Sequence, residues 1–237
     1  MEFNEAKYAR NADESYSEFA YRVMHDWLMK FRLKPGAPIN ESEVAEALKV
    51  SRTPVHEALA RLKAEKLVDI LPRKESRVSK IDLVLVNDGI FIRSCVEPEL
   101  IQTLQGNIAA PIMHRMLRNI NLQRQLLQTG DPEDKFNDVD DEFHKLLFLA
   151  ANRENLYGQV RGLLADFNRV RYLARSIGNF ESVDQRSHEE HREIFSAVAY
   201  RAPLSVDAHE LIRGHITQFQ SRMDEMMDLY GDYFIMR

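Results

Sequence analysis

From Asp82 to Tyr230 no segment reads as a strand: apolar residues recur at helical spacing, and caps and breakers cut the run at short intervals. The breaks fall at Gly106, at Thr129-Gly130-Asp131-Pro132, at Asn152-Arg153, at Gly178-Asn179 and at Arg201-Ala202-Pro203. They delimit helices at roughly 82–106, 109–129, 132–151, 154–177, 181–200 and 204–230. Connections this short make sequential helices pack antiparallel, so the stretch is expected to form an antiparallel bundle of six to seven helices.

Composition closes off other architectures. The 237 residues hold only 9 Gly and 8 Pro, with no internal repeat and no low-complexity tract, which excludes collagen-like and broadly disordered chains. No run of 18 apolar residues exists, so no membrane partner is expected. The acidic-polar N-terminus lacks an apolar h-region, which argues against secretion and for the cytoplasm. The single cysteine, Cys95, excludes internal disulfides and cysteine-rich zinc modules, and reads as a buried small residue.

The front of the chain follows a different pattern. Phe19, Val23, Trp27 and Leu28 mark a first helix that stops near Lys34-Pro35-Gly36. Asn40 or Ser42 can cap a short helix over Glu43 to Leu48, and Lys49-Val50 makes a tight link. Ser51 caps a second helix running to about Lys66, with Pro54 tolerated in its first turn. Strands follow at Leu67–Leu71 and Arg77–Ile81, joined by the polar tip 72–76. That order is a winged helix-turn-helix, so the fold class is mainly α. The expected divisions are a flexible segment 1–15, a winged domain 16–81, an all-helical domain 82–230 and a tail 231–237. Charge divides the same way: 13 Lys/Arg against 9 Asp/Glu over 16–80, then 17 against 24 over 81–237. Only the front is expected to meet a polyanion.

Ser51, Arg52 and Thr53 open the second helix, where free N–H groups and the helix dipole favour phosphate. Arg52 carries a planar fork suited to guanine O6/N7. The run Glu41-Ser42-Glu43-Val44-Ala45-Glu46-Ala47-Leu48-Lys49-Val50-Ser51-Arg52-Thr53-Pro54-Val55-His56-Glu57-Ala58-Leu59, continuing through Arg61 to Val68, resembles the GntR family of bacterial regulators. The resemblance implies DNA contacts from Ser51, Arg52, Thr53, His56 and Arg61 on the recognition helix, and from Arg73, Lys74 and Arg77 at the wing. His56 replaces the usual arginine, Ser42 stands where some members have arginine, and Glu75 takes the place of a wing glycine.

The rear carries its own constellation. Asp140 and His144 are four residues apart on the apolar stripe Phe136, Val139, Phe143 and Leu147. His191 lies inward with Ile194, Phe195 and Val198, and His215 sits near Leu211, Ile212 and Phe219. Unpaired burial of such groups is expensive, and together they form a donor set for Zn²⁺, Ni²⁺ or Mn²⁺. An open coordination position can take a ligand carboxylate, with Arg93 as effector-binding counter-charge. His188 is read at the helix edge as an alternate ligand, His209 toward solvent, His114 without a partner, and Arg169 and Arg171 as solvated. Arg93-x-x-x-Glu97-Pro98, Asp140-Asp141-Glu142-Phe143-His144, His191-Arg192-x-Ile194 and Gly214-His215-Ile216 resemble the FCD effector domain of the FadR subfamily. These positions match that domain's known metal site.

The two resemblances imply a non-enzymatic transcriptional regulator. It is expected to be a homodimeric repressor on a double-stranded, pseudo-palindromic DNA operator, controlled by an organic-acid or sugar-acid effector at a metal site, zinc first. One alternative is a metabolite- and metal-binding module with weakened DNA recognition, motivated by His56 and Glu75. A metal-dependent hydrolase comes last, because Glu142 points away from the Asp140–His144 face and no general base stands beside the cluster.

Overall fold

Ser15 starts the first helix, α1 (Tyr16–Met29), with a capping box: its hydroxyl accepts from Glu18 N, and Glu18 accepts from Ser15 N at 2.8 Å. The computed structural model describes residues 8–70, 75–130, 135–178 and 180–235. The chain divides into two compact units, one of residues 1–86, 162–173 and 226–237, the other of 87–161 and 174–225.

In the first unit, Asn40 caps α2 (Glu41–Leu48), its Oδ1 accepting from Ser42 N at 2.9 Å. Lys49 ends that helix in the left-handed region, at φ 55°, and makes the turn into α3 (Arg52–Ala64). Ser51 holds the N-cap position of α3 with extended backbone, but its hydroxyl makes no capping bond. Val55, Leu59 and Leu62 are buried in a core shared with Trp27, Leu28, Val44 and Leu48. Three short strands form an antiparallel sheet with β3 (Ser76–Val78) between β1 (Pro38–Ile39) and β2 (Val68–Asp69). The two expected strands are present but shorter, and β1 is an addition. It pairs because the Lys34-Pro35-Gly36 turn returns the backbone to β3, with Gly36 N donating to Val78 O and Val78 N to Ala37 O, both at 2.9 Å.

The strand expected at 77–81 ends at Val78 because a side chain takes over the next carbonyls. Arg169 has no solvent exposure; it donates to Ser79 O at 2.6 Å and Lys80 O at 3.2 Å, and pairs with Asp166. Asp166 Oδ2 in turn accepts from Asp82 N at 2.9 Å. Arg169, expected to be solvated, is therefore a buried anchor. Within the expected flexible segment and tail, the described residues 8–15 and 231–235 make packed contacts. Tyr8 is buried against Trp27, and Glu14 pairs with Arg22 at 2.7 Å. Ile81 N donates to Tyr233 O and Ile235 N to Ile81 O, both at 2.9 Å, and Phe234 is buried.

The helices after residue 82 are α4 (Leu83–Leu104), α5 (Ala110–Thr129), α6 (Phe136–Ala150), α7 (Glu154–Arg161), α8 (Ala165–Ser176), α9 (Glu181–Tyr200), α10 (Ala208–Ile216) and α11 (Met223–Tyr230). Gly106, Gly130, Asn152 and Arg201 take positive φ at the expected breaks. Two of the expected helices are each split. A 3₁₀ turn at Gly162–Leu164 separates α7 from α8, where Gly158 and Gly162 weaken the helix. A second turn at Gln218–Arg222 follows the β-branched pair Ile216-Thr217, where Thr217 Oγ1 bonds back to Arg213 O at 2.8 Å.

Pro98 inside α4 has no N–H for Ser94 O, and His209 Nδ1, expected to face only solvent, lies 3.3 Å from that carbonyl. Cys95 is exposed rather than buried, since it lies on the outer face of α4. Among the described residues no helix is long and apolar enough to cross a membrane.

Replacing Arg169 with leucine leaves the Asp166 carboxylate buried without its cation and strips donors from Ser79 O and Lys80 O. Arg169→Leu is expected to lower unfolding free energy by about 3–5 kcal/mol, read by denaturant titration; a loss below about 1 kcal/mol, the scale of an exposed pair, would contradict the anchor.

Candidate metal centre

Asp140 and His144 lie one turn apart on α6, and α9 and α10 bring His191 and His215 to them; all four are buried. His144 and His215 present Nε2 atoms 3.0 Å apart, and His191 Nε2 lies 3.3 Å from each. Asp140 Oδ1 is 3.5 Å from the Nε2 of His191 and of His215, and Oδ2 is 3.8 Å from His144 Nε2. Phe143 stacks on the His191 ring with centroids 4.1 Å apart. The sequence grouped the same four residues.

An outer ring of polar groups takes the far side of each imidazole. His144 Nδ1 is 2.9 Å from Glu97 Oε2, a close contact without the alignment of a hydrogen bond. His191 Nδ1 is 3.0 Å from Gln123 Oε1, and His215 Nδ1 is 2.8 Å from Glu190 Oε2. Arg93 is buried and holds Glu97, Nε to Oε1, at 2.7 Å. Glu190 also accepts from Arg186 Nε at 2.8 Å and Gln218 Nε2 at 3.0 Å. Sequence reasoning did not single out this ring. Glu97 four residues after Arg93, and Glu190 beside His191, were available signals; Gln123 had none.

An oxygen beside every Nδ1 favours imidazole protons on the outer nitrogens, which in the neutral rings turns the Nε2 lone pairs toward one another and toward Asp140. A cation meets that demand. Two ligands each about 2.0–2.1 Å from a shared ion in tetrahedral array stand about 3.3–3.4 Å apart, the scale of the contacts seen here. The residues present fit a divalent metal, and these four can hold one.

Burial drives His144 down to about 4, helped by Arg93 and opposed by Glu97. Burial also puts His191 well below the ordinary imidazole value. It pushes His215 down too, but Asp140 and Glu190 together outweigh it, and the net shift is upward. Glu97 is driven up by burial, yet Arg93 and His144 bring it to about 2. His188, expected at a helix edge, is buried one turn before His191; its Nδ1 has no hydrogen-bond partner, and it is not one of the four clustered residues. His114 is exposed.

At the other end of the chain, Ser51, Arg52, Thr53 and His56 are exposed on the first turns of α3. His56 Nδ1 lies 3.4 Å from Glu41 Oε1 on α2. Arg77 is exposed on β3 and donates to Gly36 O at 3.2 Å. Arg61, nine residues after Arg52 and so half a turn around the helix, lies instead 3.8 Å above the Tyr21 ring on α1. Arg73 and Lys74 lie outside the described residues.

Residues 16–78 match the family described as bacterial regulatory proteins, gntR family, and residues 88–218 match the FCD domain. The chain belongs to the gntR family and carries an FCD domain. It is similar to the HTH-type transcriptional repressor RspR of Escherichia coli K12, 27% identical over 94% of this chain and 96% of that protein. A Streptomyces ambofaciens HTH-type regulator in an unstable DNA locus is 34% identical over 75% of this chain and 73% of its own length. The Nta operon transcriptional regulator of Aminobacter aminovorans is 30% identical over 82% and 95%. In fold, E. coli McbR/YncC aligns at TM-score 0.70 and 19% identity, over 93% of this chain and 99% of that one. This gntR-family chain is accordingly a transcriptional regulator and not an enzyme.

A metal needs neutral imidazoles, and His144 and His191 stay neutral well below pH 7. The competing proton is that of His215, whose pKa is raised. Zinc affinity is expected to fall by about tenfold per pH unit below that raised value. A slope of two or three protons near neutral pH, measured by chelator competition, would contradict this.

Proposed function

We propose that this regulator is a homodimeric repressor. Its winged domain binds a two-fold-symmetric double-stranded operator, and a small organic or sugar acid at a Zn²⁺ site in the helical domain controls that binding. The observation that carries this reading is the convergence of Asp140, His144, His191 and His215 as a buried cluster of metal-ligating groups in the chain that also exposes Ser51, Arg52 and Thr53 at a helix start. Zinc suits the mixed nitrogen and oxygen set, with nickel and manganese as alternatives. When bound, the ion supplies positive charge at which a carboxylate can dock, and Arg93 is the buried cation assigned to the same carboxylate. The effector acts through differential affinity for the DNA-competent and DNA-incompetent states.

Ser51, Arg52, Thr53, His56 and Arg77, with Arg73 and Lys74 of the wing tip, are the proposed DNA contacts. Arg52 is assigned to base edges and the others to phosphates. Arg61 is assigned to bracing α3 against α1 through Tyr21. The repressor among the relatives supports the regulatory sign.

Selection of duplexes from a random library at two salt concentrations tests the reading. The expected result is a two-fold-symmetric site whose binding weakens steeply with salt. Arg52→Ala is expected to cost about 1–3 kcal/mol of discrimination at one base pair of each half-site. No enriched site, from folded and zinc-loaded protein tested with and without a panel of organic and sugar acids, would overturn it. That outcome would favour the metabolite-binding module, consistent with His56 lying beside Glu41. His144→Ala and His215→Ala are each expected to lower zinc content by elemental analysis and blunt the effector response; full zinc in both would sink the ligand assignment.

A further inference from the structure

Two of the three clustered imidazoles are backed by carboxylates. Ionised carboxylates only accept, and Glu97 at 2.9 Å and Glu190 at 2.8 Å stand closer to Nδ1 of His144 and His215 than Asp140 does to their Nε2, at 3.8 and 3.5 Å, which favours the proton on Nδ1. His191 differs, because an amide can turn either its oxygen or its NH₂ toward a ring. If Gln123 turned its NH₂ to Nδ1, the His191 proton would sit on Nε2, inside the cluster, where a lone pair is needed.

The choice is made two side chains away. The backbone carbonyl of Val139 can only accept, and Asn119 Nδ2 donates to it at 2.8 Å. Asn119 therefore turns Oδ1 to Gln123, whose Nε2 donates to it at 2.7 Å. That leaves Gln123 Oε1 facing His191 Nδ1 at 3.0 Å. Gln123 has no solvent exposure and Asn119 is buried, so bulk water does not compete for these bonds. Each link has a single polarity, and the sequence runs without a break from a peptide carbonyl to the lone pair of a clustered histidine.

We infer that Asn119 and Gln123 are positioning residues for His191: a directional hydrogen-bond relay, referenced to the Val139 carbonyl, that keeps its Nε2 unprotonated and aimed at the metal. The inference rests on reading the cluster as a metal site. The reference carbonyl belongs to the residue before Asp140, so α6 supplies one ligand and the polarity of another from adjacent positions. Outer partners of ligating histidines hold ring orientation and tautomer in this way.

Long-range ¹H–¹⁵N correlation spectra of the metal-free, full-length protein report which His191 nitrogen bears hydrogen. The wild type is expected to show Nδ1–H. Asn119→Leu cuts the relay and is expected to populate Nε2–H. Asn119→Asp, whose protonated form donates to Val139 O and accepts from Gln123, is expected to restore Nδ1–H. Unchanged Nδ1–H in Asn119→Leu would overturn the relay. In chelator competition with Zn²⁺, Gln123→Leu is expected to weaken affinity by about 10- to 100-fold; wild-type affinity in that variant would also overturn it. Should Gln123→Leu not fold, the Asn119 pair decides alone. Failure of the wild type to take up zinc would instead refute the metal reading, and the tautomer spectra would still judge the relay.

Discussion

Three imidazole lone pairs and a carboxylate that face one another in a buried site repel unless something positive lies among them. Much of the second unit is organised around that demand. Helices α6, α9 and α10 supply the inward groups, while α4, α5 and α9 supply the acceptors behind them. A half-satisfied polar network is worse than an apolar core, which is why each imidazole has an oxygen at its outer face. The same requirement makes Arg93 part of the structure: without it Glu97 would be a buried, unneutralised carboxylate. Because the ligands come from helices far apart in the chain, the free energy of holding an ion is also free energy of folding this unit.

The first unit solves a related problem with one side chain. The segment after β3 leaves the sheet, and its carbonyls need donors. Arg169 supplies them from α8, and Asp166 both neutralises Arg169 and accepts from Asp82 N. Bonds from Ile81 to residues 233–235 secure the same segment from the chain end. In the same unit the Arg61 guanidinium on α3 lies over the Tyr21 ring on α1, which braces the helix whose start is exposed.

Helix boundaries were legible because caps and breakers are local chemistry. Gly106, Gly130, Asn152 and Arg201 turn the chain where expected, and Asn40 caps where expected. The four inward residues were legible because a polar side chain on an apolar stripe demands an explanation wherever it occurs. What failed to show was non-local. Strand β1 exists only because β3 passes beside it, and the splits in two long helices depend on how weak sites at Gly162 and Thr217 are resolved in packing. Cys95 was misread because α4 is apolar on more than one face, which hides the side left outward.

The sequence alone determined the helical architecture, the winged arrangement of the first eighty residues and the identity of the four clustered donors. The first two follow from spacing, caps and the order of neighbouring elements, and the third from polar residues on apolar stripes together with the FCD resemblance. Tertiary structure decided which groups stand behind those donors, which way the buried amides face, and which arginines are anchors. Gln123, Asn119 and Arg169 have ordinary surroundings in sequence. Their roles come from partners 20 to 90 residues away, and hydrogen-bond direction at such a distance is set only when the chain closes on itself.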